Sequence, residues 1–563
     1  MLGSFTTTQL VALLDLFLFA AGIEAEFHEG DYGVFRQEVL DPGSGLYAFK
    51  PQVLFLATTR RDLGCGANLA LDGNGEAAAI ESELRAWAGL WDAVQRNAGC
   101  QIIQNNFVAP ASRAAANHEL ALPGSLGRIV AAMNRAFAAA APTFVTIHDA
   151  DHLAASWGRW RWDDPRFFHH AKLPCDPEFL VDYAHSVASL VMAQLGLAKK
   201  CLVLDLDNTL WGGVIGDDGL DGIRLGQGTP EGEAFVDFQH YAKSLRQRGI
   251  LLAVCSKNNE ATALEVFEKH TEMVLRRADI SCFVANWEDK ATNLRLIAKT
   301  LNIGVDSLVF ADDNPAERLI VRRLAPEVAV PELSDDVTSY VRTLEQHRYF
   351  QVLSLGAEDL KRTEFYRADA QRRDEQASAG DLDSFLRSLD MTAHVGPITP
   401  MSLERSAQLI QRSNQFNLTT RRKSAAELSA LLADDAWISR TVSLADRFGD
   451  NGLISVLLAH VDGDALEIDT WLMSCRVLRR GVEQFLLNHL VGEAQKRGLR
   501  WLRGVYVPTQ KNQLVRDHYA GLGFASAGPA GAAGETTWEL TLGESWTPRP
   551  NFIKETNHGP SAQ

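Results

Sequence analysis

The sequence predicts an α/β chain built of several domains, two with parallel sheets followed by one of α+β type. Three observations lead there. At 563 residues the chain is long enough for three or four domains. Its first 350 residues alternate short apolar runs with helical stretches, the pattern of strands joined by crossover helices. Past residue 380 a third unit reads as several strands and a helix, and its α+β type is what a family resemblance given below implies.

In chain order, strands are expected at Val53–Ala57, Cys100–Ile103 and Thr143–Ile147, then at Cys201–Leu206, Ile250–Cys255, Cys282–Ala285 and Ser307–Ala311. The charged stretch EDLKRTEFYRADAQRRDEQ reads as a connecting helix. Ala377–Asp381 then marks a joint. Beyond it, strands are expected around Trp437–Leu444, Leu453–Ala459, Ala465–Met473 and Trp501–Tyr506, with a helix over Gly481–Lys496. The expected units are 1–195, 196–348, a helical connector 349–380, 381–547, and a frayed tail 548–563.

Composition narrows the function. With 46% hydrophobic and 22% charged residues the chain can bury several cores. Its formal charge of -16 argues against a coat for nucleic acid or for anionic membrane. Seven scattered cysteines without a Cys-x-x-Cys pair fit the reducing cytoplasm and no structural zinc. The apolar stretch Leu10–Ile23 is interrupted by Asp15 and reads as a buried helix rather than a signal or a membrane span. A cytoplasmic protein is expected.

The chemistry concentrates at four strand ends. CLVLDLDNTLWGG delivers Asp205 and Asp207 at the carboxyl end of a strand, the edge where open parallel sheets bind ligands. Cys255-Ser256-Lys257-Asn258 follows the second strand, Lys290 lies in WEDKATNL, and Asp312-Asp313 follow another strand. A phosphoryl group repels an attacking carboxylate unless a cation and fixed donors offset the charge. Asp205 then serves as nucleophile and Asp207 as acid and base, its backbone carbonyl joining the metal shell. Asp312 and Asp313 supply hard oxygens for Mg²⁺. Ser256, Lys257, Asn258 and Lys290 hold the phosphate, and Thr209 steadies the loop. An isolated Asp-x-Asp is as often a surface turn; the three partner motifs decide here.

This order of motifs resembles the haloacid dehalogenase (HAD) superfamily. About 48 residues separate Asp207 from Cys255 and about 34 separate Ser256 from Lys290, too few for a large cap, so a capless HAD Rossmann-like domain with an open site is expected. Cys255, beside Ser256 and near Lys257, Lys290 and a metal, is expected to have a lowered thiol pKa. The plainer reading is a small residue closing a strand.

LDLDNTLWGGVIGDDG, LAVCSKNNE, WEDKATNL and FADDNPAER resemble the FkbH-like glyceryltransferase/phosphatases of polyketide biosynthesis. The resemblance implies a substrate, D-1,3-bisphosphoglycerate, and a partner, an acyl carrier protein whose phosphopantetheine thiol receives the glyceryl unit. It also implies that Cys255 is the tether. A stand-alone Mg²⁺-dependent phosphatase and a non-catalytic scaffold are the competing readings.

The long form of this family implies the flanking domains. The first resembles SGNH hydrolases, with Ser4 in LGSF, Asn105 in QNNF, and Asp149 and His152 in HDADH as candidates. Only Met1 and Leu2 precede Gly3-Ser4, too few for a full strand, and a scaffold or docking role competes. The last domain, with TWLMSCRVLRRGVEQFLL and KNQLVRDHYAGLGF, resembles GNAT acyltransferases. Its turn Arg476–Gly481 has Arg479 where glycine is expected, which favours a phosphopantetheine arm or carrier protein over coenzyme A. Arg421-Arg422-Lys423 with Arg476, Arg479 and Arg480 form the expected basic docking patch, against the plainer reading of a solvated face.

Overall fold

The computed structural model describes residues 1–353, 381–413, 416–474, 477–509, 512–529, 534–543 and 546–556, together with 368, 372 and 375. The connector expected at 349–380 and the candidate Arg476 therefore lie almost wholly or wholly outside the described residues. By internal contacts the chain divides into two compact units, residues 1–195 with 423–430, and residues 196–422 with 431–563.

The first unit carries a four-stranded parallel sheet in the order β1 (Leu2–Gly3), β2 (Val53–Ala57), β3 (Gln101–Asn105), β4 (Val145–His148). Two residues are enough for β1: Leu2 pairs with Leu56 and Gly3 with Ala57, so the residue before Ser4 is held on a strand after all. Helix Gly73–Ala98 begins at Asp72, which accepts the backbone N–H of Gly75, and ends at Gly99 in the left-handed region. The helix expected near Leu10–Ile23 spans Thr8–Ala20 and buries only one stripe, Leu10, Leu14 and Leu18. Phe19 on its other side is exposed.

The second unit opens with a parallel sheet in the order β7 (Cys282–Ala285), β6 (Leu251–Ser256), β5 (Cys201–Leu204), β8 (Leu308–Ala311). Every residue of β5, β6 and β8 is buried, as in a sheet covered on both faces. Leu202, Leu204, Leu252 and Val254 pack on one side with Phe235 and Phe238. Cys201, Val203, Ala253 and Cys255 pack on the other with Ala291, Leu294 and Phe310. Between β5 and β6 lie only helix Ile215–Gly222, kinked at Gly219, and helix Pro230–Gln247. Between β6 and β7 lie helix Glu260–Lys269 and a short 3-10 turn. No cap is inserted in either interval.

The same unit ends in an eight-stranded mixed sheet, β14-β15-β13-β12-β11-β10-β9-β16. Its members are β9 (Thr392–Gly396), β10 (Trp437–Asp446), β11 (Gly449–Asp462), β12 (Ala465–Met473), β13 (Trp501–Tyr506), β14 (Ala525–Pro529), β15 (Thr536–Thr541) and β16 (Lys554–Glu555). Part of the tail expected to fray is ordered as β16, where Lys554 pairs with Thr392 and Glu555 with Ala393. β12 and β13 run parallel and pair only over Ala465–Ile468 and Trp501–Gly504. Past that point a segment of the chain itself takes up the backbone groups. Leu418 N–H donates to Trp471, Met473 N–H to Phe416 and Val507 N–H to Leu418. No helix of the described residues is long and apolar enough to cross a membrane.

Candidate active site

The parallel sheet β5–β8 places its chemistry at its carboxyl edge. Leu204 pairs with Val254 and Ala311, so one residue further along Asp205, Cys255 and Asp312 stand side by side. Alternation along each strand turns all three toward the face covered by helix Lys290–Leu301. That helix starts at Asp289, whose side chain accepts the backbone N–H of Thr292, and this cap fixes Lys290 at its first position.

Lys290 is buried and donates to Asp205 Oδ2 at 2.7 Å and to Asp312 Oδ2 at 2.5 Å. Burial alone would lower its pKa, but the two carboxylates more than reverse that and hold it above the usual lysine range. Asp312 is itself pushed up to about 7 by burial and by Asp205, against the pull of Lys290. Asp313 is raised by the same two causes. Its backbone N–H and a side-chain oxygen both meet the Thr209 hydroxyl at 3.3 Å, the loop-steadying contact expected of Thr209.

Ligand oxygens of Asp205, Asp312 and Asp313 lie within 4.8 Å of one another. Asp205 Oδ1 is buried without a hydrogen-bond partner, which is costly unless a cation or substrate meets it. An all-oxygen donor set with one orphaned buried carboxylate oxygen fits Mg²⁺.

Asp207 does something different. Its Oδ1 accepts from Trp211 Nε1 at 2.9 Å and from the Ile215 backbone at 3.0 Å; its Oδ2 accepts from Asn258 Nδ2 at 2.8 Å. Burial raises its pKa, these donors oppose the shift, and Asp205 adds to it. The tight turn after it is closed by Asn208, in the left-handed region with φ 54°, whose side chain receives the Gly213 N–H.

Two expected phosphate ligands are engaged elsewhere. Lys257 pairs with Glu317 at 2.7 Å, and Asn258 orients Asp207. Ser256 is buried at the end of β6. Cys255 requires a correction. It is 0% exposed, and its Sγ lies 3.8 Å from the Lys290 carbonyl oxygen. Burial pushes its thiol up rather than down, with Lys290 opposing and Asp205, Asp312 and Glu317 reinforcing. The expectation counted Lys290 and Lys257 as free positive charge, but carboxylates neutralise both.

Two residues went unnoticed in the sequence. Arg318 is buried and donates to the backbone carbonyls of Asp312 and Asp313 at 2.9 and 2.6 Å, with Glu332 fixing its other nitrogen at 2.5 Å. Glu317 holds Lys257 and keeps Oε2 buried without a partner. Both lie in FADDNPAER, in the first turn and a half after the strand-end acids, and that position was the available signal.

The flanking candidates are dispersed. The Ser4 hydroxyl donates to Asp62. Asp149 caps helix Ala150–Trp157 through the backbone N–H of His152 and also receives Asn106 Nδ2. His152 is exposed. Asn105 is buried, donating to the Thr58 carbonyl and the Tyr183 hydroxyl while its Oδ1 meets His148 Nδ1 at 2.8 Å. The polar network of this sheet edge thus runs through His148, not His152. In the last sheet, Arg479 has φ 61°, the left-handed region that favours glycine. Of the expected basic patch, Arg480 is buried, the Arg421 side chain is 48% exposed and Arg479 is exposed, and three of its members have partners. Arg421 pairs with Asp469, Arg480 with Asp446, and Arg422 caps the carbonyls of Ile410, Gln411 and Ser413. The described cysteines are all free thiols.

A capless parallel sheet with a buried lysine among strand-end carboxylates fits a Mg²⁺-dependent phosphatase of the HAD type. No family model matches the sequence, and no curated protein matches it. Among solved structures, the N-terminal part of the protein BF1531 from Bacteroides fragilis, containing a phosphatase domain and complexed with Mg, matches with a TM-score of 0.58. It is 33% identical, over 63% of this chain and 93% of that one. The chain belongs to the same family as that phosphatase-domain protein. Ribosomal-protein-S18-alanine N-acetyltransferase from Escherichia coli is matched at 17% identity and TM-score 0.22, over 28% of this chain and 99% of that one.

Proposed function

We propose that the chain hydrolyses a phosphomonoester through an aspartyl-phosphate on Asp205. The observation that carries this is the asymmetry of that carboxylate: Oδ2 is held by Lys290 while Oδ1 is buried and unpartnered. Mg²⁺, when bound by Asp205, Asp312 and Asp313, offsets the charge between carboxylate and phosphate. Oδ1 attacks phosphorus, the bond to the leaving oxygen breaks, and Asp207 gives that oxygen its proton. Asp207 then takes a proton from the water that cleaves the acyl phosphate, releasing inorganic phosphate and free Asp205. Lys290 and Ser256 hold phosphate oxygens.

Because Asn258 donates to Asp207, it favours the charged form of that carboxyl. Asn258→Leu is expected to raise the Asp207 pKa, so the protonated acid persists to higher pH. The alkaline limb of the kcat profile then moves up by about half a unit to one unit. A rate profile from pH 5 to 9 reads this; an unmoved or lowered limb removes Asp207 as the acid.

The fuller reading, supported by the resemblance to FkbH-like proteins and by Cys255 standing level with Asp205, is glyceryl transfer. The Cys255 thiolate attacks the acyl carbon of 1,3-bisphosphoglycerate, a C–S bond forms, and the C1 phosphate leaves. Asp205 removes the remaining phosphate, and an acyl carrier protein thiol displaces Cys255 by thioester exchange. The sulfur has to leave its buried contact with the Lys290 carbonyl for this. Its burial favours the competing reading, phosphate removal alone. Intact-protein mass spectrometry with bisphosphoglycerate and Mg²⁺ separates the two. Glyceryl transfer requires a glyceryl adduct on the wild type that Cys255→Ala lacks and that moves to an added carrier protein. No adduct, or an equal adduct on Cys255→Ala, leaves the phosphatase reading alone.

A further inference from the structure

The two acids that follow β8 are anchored unequally. Asp312 has Lys290 on Oδ2 and the Asn314 backbone N–H on Oδ1 at 2.8 Å. The side chain of Asp313 meets the Thr209 hydroxyl at 3.3 Å, a long reach for a hydroxyl. Its aim therefore depends on the backbone that carries it.

Arg318, in helix Pro315–Leu324, holds that backbone. Its Nη1 donates to the Asp312 carbonyl at 2.9 Å and to the Asp313 carbonyl at 2.6 Å. Its Nη2 donates to Glu332 at 2.5 Å, and Glu332 also receives Arg322 at 2.6 Å. The segment leading to Glu332 is pinned to β8 itself, since the Phe310 N–H donates to the Ala329 carbonyl and the Ala329 N–H to the Leu308 carbonyl. The clamp is thus fixed to the strand that delivers both acids.

Stability alone does not call for an arginine here. The side chain is buried, and its Nε has no hydrogen-bond partner, a cost that an apolar side chain of similar volume would not carry. What the planar guanidinium supplies, and a hydrocarbon cannot, is a hold on two consecutive carbonyls.

On the phosphatase reading, in which Asp205, Asp312 and Asp313 hold the cation, we infer that Arg318, aimed by Glu332, is a positioning residue that sets the Mg²⁺ affinity of the site by fixing the direction of the Asp313 carboxylate. Groups that orient metal ligands in this way act on affinity without touching the ion.

The test is titration calorimetry of Mg²⁺ into the full chain, well below its unfolding temperature, with thermal unfolding in EDTA alongside. Arg318→Met is expected to weaken Mg²⁺ binding by about 10- to 100-fold. Arg318→Lys keeps the charge but not the planar fork, and is expected to recover part of that loss. The Glu332 side chain is 63% exposed, so Glu332→Ala leaves the core intact. It is expected to weaken Mg²⁺ binding by about two- to fivefold, and it decides the matter if Arg318→Met does not fold. A role in packing alone would lower the unfolding temperature of Arg318→Met and leave the Mg²⁺ affinity of the folded variants at the wild-type value. That result, or wild-type affinity in Glu332→Ala, would overturn the positioning role. A wild type that takes up no Mg²⁺, or takes it up no better than Asp313→Asn, would instead overturn the metal assignment and the role of Arg318 with it.

Discussion

Asp205→Asn is expected to lower phosphomonoester turnover by about 10⁴-fold or more at saturating Mg²⁺ and substrate, a loss of about 5.5 kcal/mol of transition-state stabilisation. The amide keeps the shape of the side chain but cannot form the acyl phosphate, and no second carboxylate is placed to replace it. Asp312 is held by Lys290 and the Asn314 N–H, and Asp207 by three donors. Asp207→Asn removes proton transfer while leaving the nucleophile, so its loss is expected to be smaller, about 10²- to 10⁴-fold. Steady-state rates with a phosphomonoester of good and of poor leaving group check the ordering, because the good one needs no acid. Turnover of Asp205→Asn within tenfold of wild type would assign the nucleophile elsewhere.

Lys290→Met is expected to destabilise the metal-free protein by about 3–5 kcal/mol, the usual cost of stranding a buried charge. Two carboxylates lose the ammonium that both share, and Asp312, already lifted to about 7, is the more exposed to the loss. In thermal unfolding the transition of this unit falls by roughly 10 °C in EDTA. Mg²⁺ is expected to restore more of that loss in the variant than it adds to wild type, since the cation replaces the missing charge among Asp205, Asp312 and Asp313. A variant as stable as wild type in EDTA would show that Lys290 does not neutralise the pair.

Much of this site was legible because parallel strands place consecutive strand ends on one edge. The intervals β2, β7, β12 and β13 are those expected, β3, β4, β5, β6, β8, β10 and β11 shift by a few residues at their ends, and β1, β9, β14, β15 and β16 have no counterpart among the expected strands. What the sequence could not show is where side chains turn once they are packed. Cys255 reads as activated because lysines lie near it in the sequence, yet those lysines are matched by Asp205, Asp312 and Glu317, and burial then decides the sign of the shift. Arg421, Arg422 and Arg480 read as a surface patch; Arg421 is at the surface but paired with Asp469, Arg422 caps backbone carbonyls, and Arg480 is buried on Asp446. Ser4, Asp149 and His152 have suitable spacing, but each has a local partner or faces solvent. Cationic runs and catalytic-looking triplets carry no record of the neighbours that satisfy them.

The short intervals between β5 and β6 and between β6 and β7 have a kinetic consequence. With no lid to swing shut, association needs no gating step, and in the proposed cycle no closure has to shield the phosphorylated aspartate. In the proposed mechanism the lifetime of that intermediate rests on one carboxyl, Asp207, and on how Trp211, Ile215 and Asn258 aim it. Turnover in such an enzyme should be indifferent to solvent viscosity and responsive to the basicity of a single side chain.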